Sequence, residues 1–159
     1  MKNKVGLYDL IINPKTEKVE LKRIKDTGLD LNTEYAYSEV IDSLNETESI
    51  NFLRNEHSYV VAYNNISEVT GIGLLGVGTD SSGFCNPKTI GSFILLMETD
   101  QFIVIHTHPA GSYKPSSSDI ATTKQISKMA EILEIPFLDH LVVSKRGWYG
   151  ICSKHEHKN

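Results

Sequence analysis

A chain of 159 residues suits a single hydrophobic core, and 40% hydrophobic with 23% charged residues, free of biased tracts and long apolar runs, excludes disordered, fibrous and membrane-spanning classes. Sixteen basic against twenty acidic residues leave a net charge of −4, which argues against a broad phosphate-binding surface and so against nucleic acid as the partner. The basic start at Lys2 and Lys4 runs into Gly6, Tyr8 and Asp9 instead of an apolar leader, so neither secretion nor membrane insertion is signalled; Cys85 and Cys152 lack metal or redox spacing and read as independent free thiols of a reducing cytoplasm.

Residues 5–12 and 18–24 predict two strands joined around the turn-prone Asn13-Pro14-Lys15-Thr16. Over 33–44, Tyr37, Val40, Ile41 and Leu44 recur at three- and four-residue steps and predict a helical face, followed by a second short helix carrying Ile50 and Leu53. Residues 58–63 and 69–77 read as strands of a central sheet. Gly71, Gly73, Gly76 and Gly78 in the second of them lack the Gly-Lys-Ser/Thr ending of a phosphate loop and alternate like close-packed strand positions.

Pro87 opens a helix whose face is Ile90, Phe93, Ile94 and Met97 and which ends near Asp100. Residues 102–105 form a buried strand that runs directly into His106. Pro115-Ser116-Ser117-Ser118-Asp119 is a helix start, and Ile126, Met129, Ala130 and Leu133 supply its buried stripe before Pro136 stops it. Residues 137–143 and 148–152 close the sheet as a final hairpin across Lys145-Arg146-Gly147, and the polar tail frays. Strands and helices alternate without a strict repeat, so the class is α/β or α+β with a mixed sheet flanked by helices. The organisation expected is a hairpin and helical segment over 1–50, a core over 51–153 and a tail over 154–159.

His106-Thr107-His108 puts two imidazoles two residues apart at the end of an extended segment, where alternate side chains share a face. Pro109 and Gly111 turn the chain, and Asp119 follows in the first turn of the predicted helix. Two histidines and one carboxylate make a zinc site with a position open for water. Ser116 to Asp119 also form a capping box, which would use the carboxylate locally. On local pattern alone the two roles of Asp119 weigh equally.

His106-Thr107-His108-Pro109, Gly111, Pro115-Ser116 and Asp119 match the H-[ST/N]-H-P-x-G-x-x-x-P-S-x-x-D pattern of JAMM metallopeptidases as RadC proteins carry it. Gly78-Thr79 and Pro87-Lys88 upstream and Leu138-Asp139-His140 downstream resemble the same family, over about residues 50 to 152. The resemblance implies a JAB/MPN-like, cytidine-deaminase-like core with Zn2+ on His106, His108 and Asp119. It implies Glu56, just before the first core strand, as general base, a residue that otherwise reads as an exposed charge. It also implies that the Ser116 hydroxyl stabilises the oxyanion. The reaction implied is hydrolysis of a peptide or isopeptide bond, with removal of a ubiquitin-like modifier as one form of it.

His57 has no matching family role, His140 could orient a ligand from behind or simply pack, with packing favoured, and His155 and His157 read as solvent-exposed. Specificity is expected from loops such as residues 80–86 and from the N-terminal segment. RadC proteins usually carry an N-terminal helix-hairpin-helix region, which the fifty residues before Glu56 do not resemble. The alternatives are a DNA-repair accessory protein, which needs a basic groove, and a non-catalytic scaffold, which needs a large exposed apolar patch.

Overall fold

The β-branched runs and the three helical stripes fold into one mixed sheet with helices on both faces. A computed structural model describes residues 3–78 and 85–159. In chain order the elements are β1 (Lys4–Ile12), β2 (Val19–Asp30), α1 (Tyr37–Glu48), a 3₁₀ turn (Ile50–Phe52), β3 (Glu56–Tyr63), β4 (Val69–Gly78), α2 (Pro87–Leu96), β5 (Gln101–Thr107), α3 (Ser117–Leu133), β6 (Phe137–Ser144), β7 (Gly147–Gly150) and β8 (Glu156–Lys158). The strand order is β2-β1-β4-β3-β5-β6-β7-β8. β1 with β4 and β5 with β6 run parallel, and the other neighbours are antiparallel.

Period-two alternation divides the core between the two faces of this sheet. Tyr59, Val61 and Tyr63 of β3 join Ile103 and Ile105 of β5 on one face, where Val40, Ile41 and Leu44 of α1 cover them. Val60 and Ala62 of β3 join Phe102 and Val104 of β5 on the other, beneath Ile90, Phe93 and Ile94 of α2 and Ile126 and Ala130 of α3. The same alternation continues past Val104 and sends His106 to the side of α2 and α3. Register pairs Ser58 with His106 and Val104 with His140. Glu56, Ser58, His106 and His140 therefore share one sheet face.

The close-packed reading holds for Gly71 and Gly73. A Cβ on Gly73 would sit 2.6 Å from the Phe93 ring, and one on Gly71 2.5 Å from Met97 Cε. A larger residue at Gly73 would have to displace the Phe93 ring of α2, and one at Gly71 the flexible end of Met97.

Four expectations change. The first helix begins at Tyr37, four residues later than Thr33, because Glu34 is held extended in a bridge to Glu68 and the Glu39 carboxylate accepts the Ala36 N–H at 2.8 Å to start the helix there. The second short helix is a single 3₁₀ turn, with Leu53 already extended after it. β7 stops at Gly150 rather than Cys152, since the Cys152 N–H is drawn into a turn by Asp139 Oδ1 at 2.9 Å.

The tail, expected to fray, forms a strand. Glu156–Lys158 pairs antiparallel with β7 as an edge strand, and the His155 and His157 rings lie 5.2 and 5.5 Å from the Trp148 ring. Both histidines are exposed, as expected, but they cover the indole. A polar strand of three residues has little signal of its own, because its pairing depends on a tertiary neighbour.

Among the described residues no helix is long and apolar enough to cross a membrane. Cys85 and Cys152 are both free thiols. Burial raises the Cys85 thiol to about 12, so it stays protonated near neutrality. Of the 80–86 loop, residues 80–84 lie outside the described residues, as does Thr79.

Candidate metal centre

Three elements meet at the site: the end of β5, the start of α3 and the start of β3. β5 ends at Thr107, yet the His108 N–H still reaches Val143 O of β6 at 2.8 Å, so His108 stays in strand register. The chain then turns. Gly111 N–H returns to His108 O at 3.0 Å, with Gly111 at φ +90°, a conformation that disfavours a side chain. Ser116 caps α3, accepting the Asp119 N–H at 3.1 Å, and Asp119 Oδ2 accepts the Ser116 N–H at 2.6 Å.

The two roles weighed for Asp119 coexist in this geometry. While Oδ2 completes the capping box, Oδ1 lies 3.2 Å from His106 Nε2, and Oδ2 also lies 3.4 Å from His108 Nε2. The two Nε2 atoms are 2.9 Å apart. These three side chains form the one group of potential metal-ligating residues among those described, with ligand atoms all within 4.8 Å of one another. His106 and Asp119 are buried and His108 is half-buried.

A tetrahedral zinc with bonds of about 2.0–2.1 Å needs ligand atoms about 3.3 Å apart; the two Nε2 atoms are 2.9 Å apart and Asp119 Oδ1 is 3.2 Å from His106 Nε2, while the 3.4 Å approach to His108 is made by the other carboxylate oxygen. The donor chemistry also fits. His108 Nδ1 lies 2.8 Å from Ser112 O, and since a carbonyl only accepts, Nδ1 carries the hydrogen and Nε2 presents a lone pair to the cluster.

The electrostatics favour a cation. Burial pushes the Asp119 carboxyl upward, but the adjacent His106 and His108 rings and the Ser116 amide outweigh it and hold the group well below the usual carboxylate range. Burial lowers His108, while its bonds to Asp119 and Ser112 and the charges of Asp119 and Glu56 raise it on balance.

Glu56 is the first residue of β3 and is partly buried. It lines one open pocket with His108, Pro109, Ser112, Ser116 and Asp119. Its Oε2 is buried and has no hydrogen-bond partner among the described residues. Such an acceptor is costly unless something polar reaches it in the pocket. Ser116 is exposed and lines the same pocket, and its hydroxyl, which accepts in the cap, keeps its own hydrogen free to donate.

His140 is not a mere packing residue. Its Nε2 lies 2.8 Å from His106 Nδ1 and its Nδ1 lies 2.8 Å from Thr123 Oγ1, with the ring fully buried. Burial first, and then the neighbouring His106, lower its pKa well below the ordinary value, so it is neutral. The Leu138-Asp139-His140 signature carried a hint of this role, but the contact spans 34 residues and Thr123 had no signal at all. His57 stays beside the site with its Nδ1 on Asn55 O, outside the cluster.

The RadC-like JAB domain family model matches residues 35–157, which includes every residue of the site. Among curated relatives, a UPF0758 protein of Staphylococcus epidermidis is 27% identical over 139 residues, 87% of this chain and 61% of the relative. One of Desulfitobacterium hafniense is 32% identical over 96 residues, 60% and 42% of the two chains. One of Chlorobium phaeovibrioides is 27% identical over 94 residues, 59% and 42%. The chain spans about half the length of these relatives, and their names state no activity.

Proposed function

Since the chain belongs to the RadC-like JAB domain family, we propose that it is a zinc-dependent hydrolase of a peptide or isopeptide bond, with the ion held by His106, His108 and Asp119. The observation that carries this reading is the position of Glu56. Glu56 lines the same pocket as His108, Ser116 and Asp119, and its buried Oε2 has no hydrogen-bond partner among the described residues. A carboxylate there meets what a general base requires: access to the attacking water without a place among the ligands.

Zinc, when bound, lowers the pKa of water to about 7 and polarises the substrate carbonyl. Glu56 takes a proton from the attacking water as the new C–O bond forms. Ser116 donates its hydroxyl hydrogen to the oxygen that gains charge at the tetrahedral carbon. Glu56 then returns the proton to the leaving nitrogen as the C–N bond breaks. The products are a carboxylic acid and an amine, between which the acid proton passes to leave carboxylate and ammonium, and Glu56 ends in its starting form.

The net charge of −4 supports a peptide or protein substrate over nucleic acid, and a ubiquitin-like conjugate belongs to that class. Two free thiols suit a cytoplasmic setting. The reading is tested by incubating the purified protein with a panel of peptide and isopeptide conjugates and zinc. Cleavage by the wild type that Glu56→Gln loses supports it. Equal cleavage by both proteins refutes it.

A further inference from the structure

A line of three short hydrogen bonds reaches the candidate metal centre from inside the protein. His106 Nδ1 is 2.8 Å from His140 Nε2, His140 Nδ1 is 2.8 Å from Thr123 Oγ1, and Thr123 Oγ1 is 2.7 Å from Asp119 O. His106, His140 and Thr123 are buried. Each contact needs one hydrogen between its heavy atoms, because facing lone pairs at these distances repel.

Hydrogens can be allotted from the far end. The Asp119 carbonyl only accepts, so it takes the single Thr123 hydroxyl hydrogen. Thr123 Oγ1 has then no hydrogen left and must accept one, which makes His140 Nδ1 a donor. The two ring nitrogens of His140 meet only an imidazole and a hydroxyl. A second, charging proton there would be fully buried with no carboxylate bonded to either ring nitrogen, so the ring carries one N–H. Its Nε2 is therefore bare and accepts from His106 Nδ1–H. His106 in turn has a bare Nε2, which faces the bare His108 Nε2 at 2.9 Å and Asp119 Oδ1 at 3.2 Å, lone pairs that repel one another unless a cation lies between them.

We propose that Thr123 and His140 are positioning residues which fix His106 in the one tautomer able to ligate a metal through Nε2, with the backbone carbonyl of Asp119 as the anchor. The line closes on a single residue. Asp119 O ends it, and Asp119 Oδ1 stands 3.2 Å from the atom that it prepares. The first turn of α3 thus supplies one candidate ligand and also sets the ring of another. His108 gets the same service from a single acceptor, Ser112 O.

This proposal rests on the metal reading of the site, and two readouts separate them. Long-range proton–nitrogen NMR on histidine-labelled protein reports which nitrogen of each ring bears hydrogen, and His140 is expected as Nδ1–H. Competition with a chromogenic chelator gives the zinc affinity. Loss of an outer partner of a ligating histidine costs about 10–100-fold in metal affinity, and that loss is expected in His140→Leu. His140→Gln should recover most of it, since one amide can accept from His106 Nδ1 and donate to Thr123. Thr123→Val, close to isosteric, should weaken zinc binding and mix the His140 tautomers, and it keeps the test open if His140→Leu does not fold. Wild-type protein that binds no zinc overturns the metal reading and this proposal together. Zinc binding by wild type with equal affinity in His140→Leu and Thr123→Val, or His140 found as Nε2–H, overturns the relay alone.

Discussion

Ser116 and Asp119 exchange hydrogen bonds across the first turn of α3, Ser116 N–H to Asp119 Oδ2 at 2.6 Å and Asp119 N–H to Ser116 Oγ at 3.1 Å. The exchange leaves Asp119 Oδ1 beside His106 and the Ser116 hydroxyl hydrogen unused by the cap, at a residue that lines the pocket. One capping box thereby orients two groups of the proposed chemistry.

Asp119→Asn separates the cap from the ligand. The amide oxygen can still accept the Ser116 N–H, so thermal stability without metal should change little, while zinc binding should fall steeply with the lost charge. Asp119→Ala should lose zinc and in addition about 0.5–2 kcal/mol of stability, the usual cost of a lost cap. Calorimetry and zinc titration of both variants read the two effects apart.

Glu56→Gln should keep zinc and the fold, because the amide keeps the shape of the side chain but takes no proton. Turnover should drop about 10²–10⁴-fold. Ser116→Ala should keep zinc as well and slow turnover by about 10²–10³-fold through the lost oxyanion contact. Zinc loss in Glu56→Gln would make Glu56 a ligand and refute its role as base.

Chelation should destabilise the wild type. At a free zinc concentration of 100 times Kd the bound ion contributes about 2.7 kcal/mol, which for a chain of this size is about 5–10 °C in Tm. Adding zinc back should restore the transition. In His108→Ala the chelator should leave Tm where it was.

Truncation after Lys154 tests the edge strand. It removes β8, both imidazoles against Trp148 and the Glu156 carboxylate that accepts the Tyr113 hydroxyl at 2.7 Å. Trp148, now 7% exposed, should show red-shifted fluorescence, and the fold should lose about 1–2 kcal/mol of cross-strand and packing energy. Unchanged emission would mean that the tail does not cover the indole.

Local chemistry made most of the strands and helices legible before the fold was seen. Asn13-Pro14 marked the first turn, Pro87 the start of α2, and Ser116 with Asp119 the start of α3. The HxH spacing and the distant aspartate made the cluster legible too, since strand periodicity brings His106 and His108 to one side. Features that depend on distant neighbours were not legible. The Glu34 bridge that delays α1, the β7 partner that orders the tail, and the Thr123–His140–His106 line all join segments whose own residues look ordinary. Glu56 was visible only through the family resemblance, because a glutamate at a strand entry has no pattern of its own.

The most direct test of the zinc centre is metal analysis of purified wild-type protein beside His106→Ala, both reconstituted with zinc and dialysed. The account predicts about one zinc per wild-type chain and almost none in the variant. Wild-type protein free of zinc, or a variant that retains as much as the wild type, would contradict it.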